Sequence, residues 1–221
     1  MALVVITANA GCGLSRRPAE HYRLRTRDNL SSIAEHPAPM TLRDLYRDAL
    51  EQGGDAVSRA LGHAEAELSR NPGSLQALMY KGSLLTMVGE SVLSPSKRSA
   101  YIRAGIAFMD NALTGAWNYP AIAWELTYVR GISLAYLPPS PDRAGAALEA
   151  LRLLVEMEEF PRQTPFDRTR CLTLLAGLAE EAGYPAEAKL RFTQARGLDE
   201  DLAIRLYDDW RTKSSAAPET T

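Results

Sequence analysis

Three histidines, two cysteines and a few short acidic runs are the residues of this 221-residue sequence whose types suit catalysis or metal binding. His21, His36 and His63 are scattered, and no two stand four apart on one predicted helix, the spacing that aims two imidazoles at one metal. His63-Ala-Glu65 has the histidine and glutamate spacing of zinc deaminases but lacks the paired cysteines that complete such a site. It reads as exposed helix surface. Cys12 and Cys171 are too few and too far apart for a disulfide framework or a structural zinc site. Cys171 falls on an apolar stripe with Leu174, Leu175 and Leu178, where a thiol behaves as a small hydrophobe. Glu156-Met-Glu-Glu159, Glu180-Glu181 and Asp199-Glu-Asp201 could work as an acid and a base only if burial split their pKa values. Helix ends and polar faces are the expected places for them, and Asp199–Asp201 suits the positive end of a helix dipole. Trp117, Trp124 and Trp210 read as packing anchors. The expectation is therefore a chain that is not an enzyme and holds no metal and no cofactor.

The elements that carry these residues are helical. Hydrophobic residues make up 46% and charged residues 24%, with a formal net charge of −2, so the chain has an ordinary globular balance and no global attraction for nucleic acid or anionic lipid. Ala, Leu, Arg and Glu dominate, and β-branched runs are scarce after Ile6. Thr41 is a suitable N-cap for TLRDLYRDALEQ, in which Leu42, Leu45, Tyr46 and Leu50 recur at helical spacing before Gly53-Gly54. Val57, Ala60, Leu61, Ala64 and Leu68 form the next stripe, stopped at Asn71-Pro72. Further amphipathic segments follow to about residue 213, separated by Pro and Gly breakers. About nine helices are expected, in an all-α fold.

Residues 1–40 read as a tail or linker, 41–213 as the helical domain, and 214–221 as a disordered end.

The helices come in pairs. In Thr169–Glu200, Leu172, Leu175, Ala176 and Ala179 are followed by Gly183-Tyr184 at a turn and by Ala188, Phe192 and Ala195 on the next helix. This spacing resembles the tetratricopeptide repeat (TPR), a helix–turn–helix unit of about 34 residues. A second unit runs through Gly82 and Gly89 to Gly105, Met109 and Ala112, with SVLSPSKRSAY as an insertion between its helices. A third runs through Gly131, Ala144, Leu148 and Leu151, also with an overlong connection, and the hairpin at 42–70 with Ala60 and Ala64 is a fourth. The resemblance covers roughly Thr41–Lys213 and implies antiparallel helical hairpins stacked as an irregular TPR-like α-solenoid.

The resemblance also implies function: the first helix of each pair lines a concave groove that takes a peptide or a segment of another protein. Carried onto this chain, the groove positions are Gln76, Met79, Ser83 and Thr86, then Glu125, Tyr128 and Ile132, then Arg170, Thr173, Gly177 and Glu180. Met79, Tyr128 and Arg170 best fit residues that bind rather than pack. The expected function is a non-catalytic scaffold or adaptor for a protein partner. The alternative is an envelope lipoprotein that presents a small solute to a transporter.

The opening LVVITANAGCGLS has two glycines but no third at the dinucleotide-binding offset, and no Lys-Ser/Thr of a phosphate-binding loop. Ala10-Gly11-Cys12 instead resembles the small-small-cysteine end of a bacterial lipobox, although nothing basic precedes it and Asn9 stands where an aliphatic residue is usual. Export with lipid attachment at Cys12 is set against a disordered cytosolic terminus, with preference for the former; a coding start upstream of Met1 would supply the basic front end. Arg16, Arg17, Arg23, Arg25 and Arg27 make the next segment locally basic, but Glu20 and Asp28 dilute it, and no nucleic-acid partner is expected. Partner identity and oligomeric state have no signature in the sequence.

Overall fold

The structure, a computed structural model, describes residues 40–116, 119–138 and 140–215. The tail expected over 1–40, with Cys12, His21, His36 and its arginines, lies outside the described residues except for Met40. So do Trp117 and residues 216–221.

Among the described residues there are nine α-helices and no strand: α1 (Leu42–Gln52), α2 (Gly54–Arg70), α3 (Leu75–Ser91), α4 (Pro95–Gly115), α5 (Pro120–Tyr136), α6 (Pro141–Glu156), α7 (Pro165–Glu181), α8 (Pro185–Leu198) and α9 (Glu200–Ser215). Their boundaries follow from local chemistry. Thr41 and Asp44 form a capping box, the Thr41 side chain accepting from the Asp44 amide and the Asp44 carboxylate accepting from the Thr41 amide. Ser74 and Thr164 cap α3 and α7. Pro95, Pro120, Pro165 and Pro185 occupy first helical positions, where a missing N–H costs nothing. Gly53 (φ 64°) and Gly183 (φ 79°) make the reversals after α1 and α7 in a backbone region that other residues enter only with strain.

Consecutive helices pack as hairpins: α1 on α2, α3 on α4, α5 on α6, α7 on α8. Small residues set the distances. A Cβ added to Gly82 would lie 2.6 Å from the Gly105 carbonyl oxygen, so α3 and α4 cross backbone to backbone. Gly131 faces the Leu151 side chain, where an added Cβ would come within 2.9 Å of Cδ2. The stretch read as an insertion in the second unit is not a loop. Its residues from Pro95 onward extend α4 at its N-terminus into a helix of 21 residues, leaving only Val92-Leu93-Ser94 between the paired helices. Pro at the first helical position makes that extension possible, since it starts a helix as readily as it stops one. The connection from α5 to α6 is also short, the four residues 137–140.

The first helices of the pairs, α1, α3, α5 and α7, pack side by side along one face, and α9 packs on α7 and α8 as an unpaired last helix. The row of first helices closes on itself. Arg43 of α1 donates from Nη2 to Asp167 of α7 at 2.7 Å and to Gln163 at 3.1 Å, and Arg47 Nη2 stands 3.6 Å from the same carboxylate. At the other end the Trp210 indole covers Gly177, where an added Cβ would meet ring atoms at 2.7 Å. The core is continuous, running from Tyr46 and Tyr80 through Trp124, Ile132 and Leu151 to Leu175 and Trp210.

Candidate functional site

The inner faces of the first helices, with α2 and α9, line a half-open cavity of ≈ 720 Å³. Tyr46, Ala49 and Leu50 come from α1, Val57 and Ser58 from α2, Thr86, Met87 and Glu90 from α3, Ile132, Ser133 and Tyr136 from α5, Arg170 from α7, and Leu206, Asp209 and Lys213 from α9. Helical periodicity brings these residues inward: Thr86 and Glu90 are four apart, as are Ile132 and Tyr136, so each couple shares a face. Apolar wall and polar groups are therefore interleaved, as in ligand sites.

A chain of hydroxyls crosses beneath the cavity. Ser133 Oγ lies 2.7 Å from the Val129 carbonyl and 2.6 Å from Ser83 Oγ, which in turn lies 2.9 Å from the Tyr46 hydroxyl. On the far side Arg170 Nη1 donates to the Tyr136 hydroxyl at 3.2 Å, and the guanidinium faces the Phe166 ring, 4.9 Å from its centroid. Burial pushes the Tyr46, Tyr128 and Tyr136 hydroxyls up from their ordinary values, so they remain protonated donors. Burial also raises Glu90, against the opposing pull of Lys213 and Arg98. The Lys213 ammonium stands 3.9 Å from Glu90 and over the Tyr136 ring at 4.8 Å.

The groove positions expected from the sequence are distributed unevenly around this site. Ile132 and Arg170 line the cavity, as does Thr86. Ser83 is buried within the hydroxyl chain. Met79 and Thr173 are fully buried, and the Thr173 hydroxyl has no hydrogen-bond partner among the described residues. Tyr128 is buried, stacked on Trp124 at 4.9 Å between centroids, and among the described residues its hydroxyl has no partner. Gln76 is exposed and donates to Glu125 at 2.9 Å, tying α3 to α5, while Tyr80 donates to the same carboxylate. Glu180 is exposed and accepts from Tyr207 of α9, whose hydroxyl is pushed up to about 12, first by desolvation and then by that carboxylate. Most of these side chains thus engage neighbouring helices rather than open solvent.

Tyr46, Glu90, Ser133, Tyr136 and Lys213 are cavity residues that repeat spacing does not single out. The one signal is hydroxyl-bearing residues, Ser133 and Tyr136, inside the otherwise apolar run GISLAY of α5. Elsewhere, His63 is exposed on α2, and Cys171 is buried, its thiol pushed up by burial and so inert as a nucleophile. Among the described residues no group of three or more His, Cys, Asp or Glu is placed to hold a metal, and no helix is long and apolar enough to cross a membrane.

Paired antiparallel helices, glycine-mediated crossings and a shared inner face make this a TPR-like helical-repeat fold. Among solved structures the chain is similar to that of a thermophilic TPR protein from Thermus thermophilus, with a TM-score of 0.55 and 20% sequence identity, over 79% of this chain and 84% of that one. No protein-family model matches the chain. No curated protein matches it in sequence.

Proposed function

We propose that the protein is a non-catalytic binding module of the TPR-like kind, which takes its ligand in the cavity lined by α1, α2, α3, α5, α7 and α9. The observation that carries this is the narrowing of the inner face: Arg43 and Arg47 bind α1 to Asp167 of α7, and what remains between the first helices, α2 and α9 is a half-open cavity of ≈ 720 Å³. That volume falls in the range of about 300–1,000 Å³ typical of sites that engulf a small ligand. It suits a solute, or the last few residues of a partner chain, better than a long extended peptide. Scaffolding of a protein partner, the use that a TPR-like fold suggests, is compatible with the second kind of occupant.

A thermal-shift screen of the full chain against a metabolite panel and short peptides tests this. A ligand present at about a hundredfold its Kd should raise Tm by about 5–10 °C for a chain of this size. The double variant Ser58→Phe/Ser91→Phe, which places rings at exposed positions on the cavity rim, should remove the shift while leaving the unliganded Tm nearly unchanged. A ligand whose shift survives in that variant binds elsewhere, and the cavity is then not the site.

Attachment to an envelope membrane through Cys12 is a separate part of the proposal and rests on the Ala10-Gly11-Cys12 motif. Metabolic labelling with palmitate checks it: incorporation by the wild type that survives in Cys12→Ser, or no incorporation at all, would sink the tether.

A further inference from the structure

We propose that the cavity is a site for a small organic anion, a monocarboxylate on an apolar body, with the Arg170 guanidinium as the group that binds its carboxylate. This rests on the cavity being the ligand site.

Arg170 is 3% exposed, yet among the described residues no carboxylate lies within ion-pairing distance of it. Its polar contacts are the single bond to the Tyr136 hydroxyl and the Phe166 ring, and its Nε has no partner among those residues. Arg43, Arg47, Arg130 and Arg152, all more exposed, each have an acid. A buried cation without an anion is costly to keep, because the protein interior does not replace the water it has lost. The nearby acids are engaged elsewhere. Asp167, one turn earlier on α7, is held by Arg43 and Arg47, and Glu90 faces Lys213. Asp209 sits at the exposed rim. An anion brought by a ligand would complete the site.

The rest of the lining narrows the chemistry. A guanidinium binds planar oxyanions through two parallel N–H bonds. The Tyr46 hydroxyl ends the hydroxyl chain at the cavity wall and adds a polar group beside the guanidinium. Glu90 and Asp209 on the same wall oppose a doubly charged phosphate, and Ala49, Val57, Ile132 and Leu206 offer apolar surface for the body of the ligand. One negative charge on a small apolar frame fits all three constraints.

Isothermal titration calorimetry and thermal shift on the full chain provide the test, with 4-methylpentanoate, phenylacetate and octanoate as probes. Controls are their primary amides, inorganic phosphate, and short apolar peptides with free or amidated C-termini. At least one acid is expected to bind at least about tenfold more tightly than its amide, the factor expected when a charge-assisted contact is lost. Binding should vanish in Arg170→Met and weaken about tenfold in Arg170→Lys, which keeps the charge but loses the fork. The unliganded Arg170→Met protein should melt at or above the wild-type temperature, since a methionine follows the same apolar path without a buried charge. An arginine needed only for folding would give the opposite, a lower Tm, and would overturn the assignment, as would amides that bind as well as acids. A peptide that binds only with a free C-terminus would leave the carboxylate chemistry standing and name its source. Neutral ligands excluded by Ser58→Phe/Ser91→Phe would preserve the cavity as the site and refute its preference for anions, whereas no binding to the wild type refutes both.

Discussion

Replacing Gly82 by alanine should lower the stability of the fold by about 2–3 kcal/mol, a fall in Tm of about 5–10 °C. Intrinsic propensity argues the other way, since alanine is favoured over glycine inside a helix by about 1 kcal/mol. The added methyl, however, would stand 2.6 Å from the Gly105 carbonyl oxygen and 2.7 Å from Met109 Cγ. The methionine can turn aside; the carbonyl belongs to the backbone of α4 and cannot, so the two helices must separate along their whole contact. Gly62→Ala is the internal control, because that glycine is exposed on α2 with nothing within 4 Å of an added Cβ. It should gain about 0.5–1 kcal/mol from propensity alone. Chemical denaturation of the two variants side by side decides the matter: if both move in the same direction, the close crossing of α3 and α4 does not govern stability.

Asp167→Ala is the second change with a large expected effect, about 2–4 kcal/mol of destabilisation. The carboxylate is nearly inaccessible and receives Arg43 Nη2 at 2.7 Å, Arg47 Nη2 at 3.6 Å and the Thr164 hydroxyl at 2.8 Å. Removing the acid of a buried pair usually costs about 3–5 kcal/mol, because the cation is left behind. Arg43 retains about a third of its side-chain exposure and can recover some hydration, which moves the expected cost toward the lower figure. The loss should also be local. Arg43 and Arg47 both belong to α1, so hydrogen exchange should accelerate in the amides of 42–52 well before those of α3 and α4. Asp167→Asn, which keeps an acceptor and drops the charge, should fall between wild type and alanine. Uniform exchange across all helices would mean that Asp167 supports the fold generally and does not fasten α1.

Much of the architecture can be read directly from the chain. Thr41, Ser74 and Thr164 announce helix starts, the prolines and glycines between apolar stripes announce the hairpins, and Gly82 with Gly105 marks a close crossing. These signals are local, or follow from one repeat period. The closure of α1 onto α7 is neither. Arg43 and Asp167 are 124 residues apart, and each looks in sequence like a solvated charge on a polar face. Repeat spacing assigns the inner positions Met79, Tyr128 and Thr173 to a partner because it gives the face and not what covers it. One cue is present: in α7 every residue from Thr169 to Ala179 is buried, and TRCLTLLAGLA carries no polar stripe. A helix without a wet face must be covered on all sides. That Arg170 has no acidic partner among the described residues leaves no sequence signature, since an arginine next to a cysteine and a threonine reads as an ordinary helix former.

Trp210 on Gly177 sets the last helix where the opening helix of a fifth pair would nest. Repeat arrays lengthen by offering a fresh apolar berth at the end of every unit. Here that berth is filled from within, and outward from it stand Arg205 and Asp208, both exposed. Among the described residues α9 itself occupies that place on α7 and α8, so adding a further repeat pair there would first require α9 to lift away.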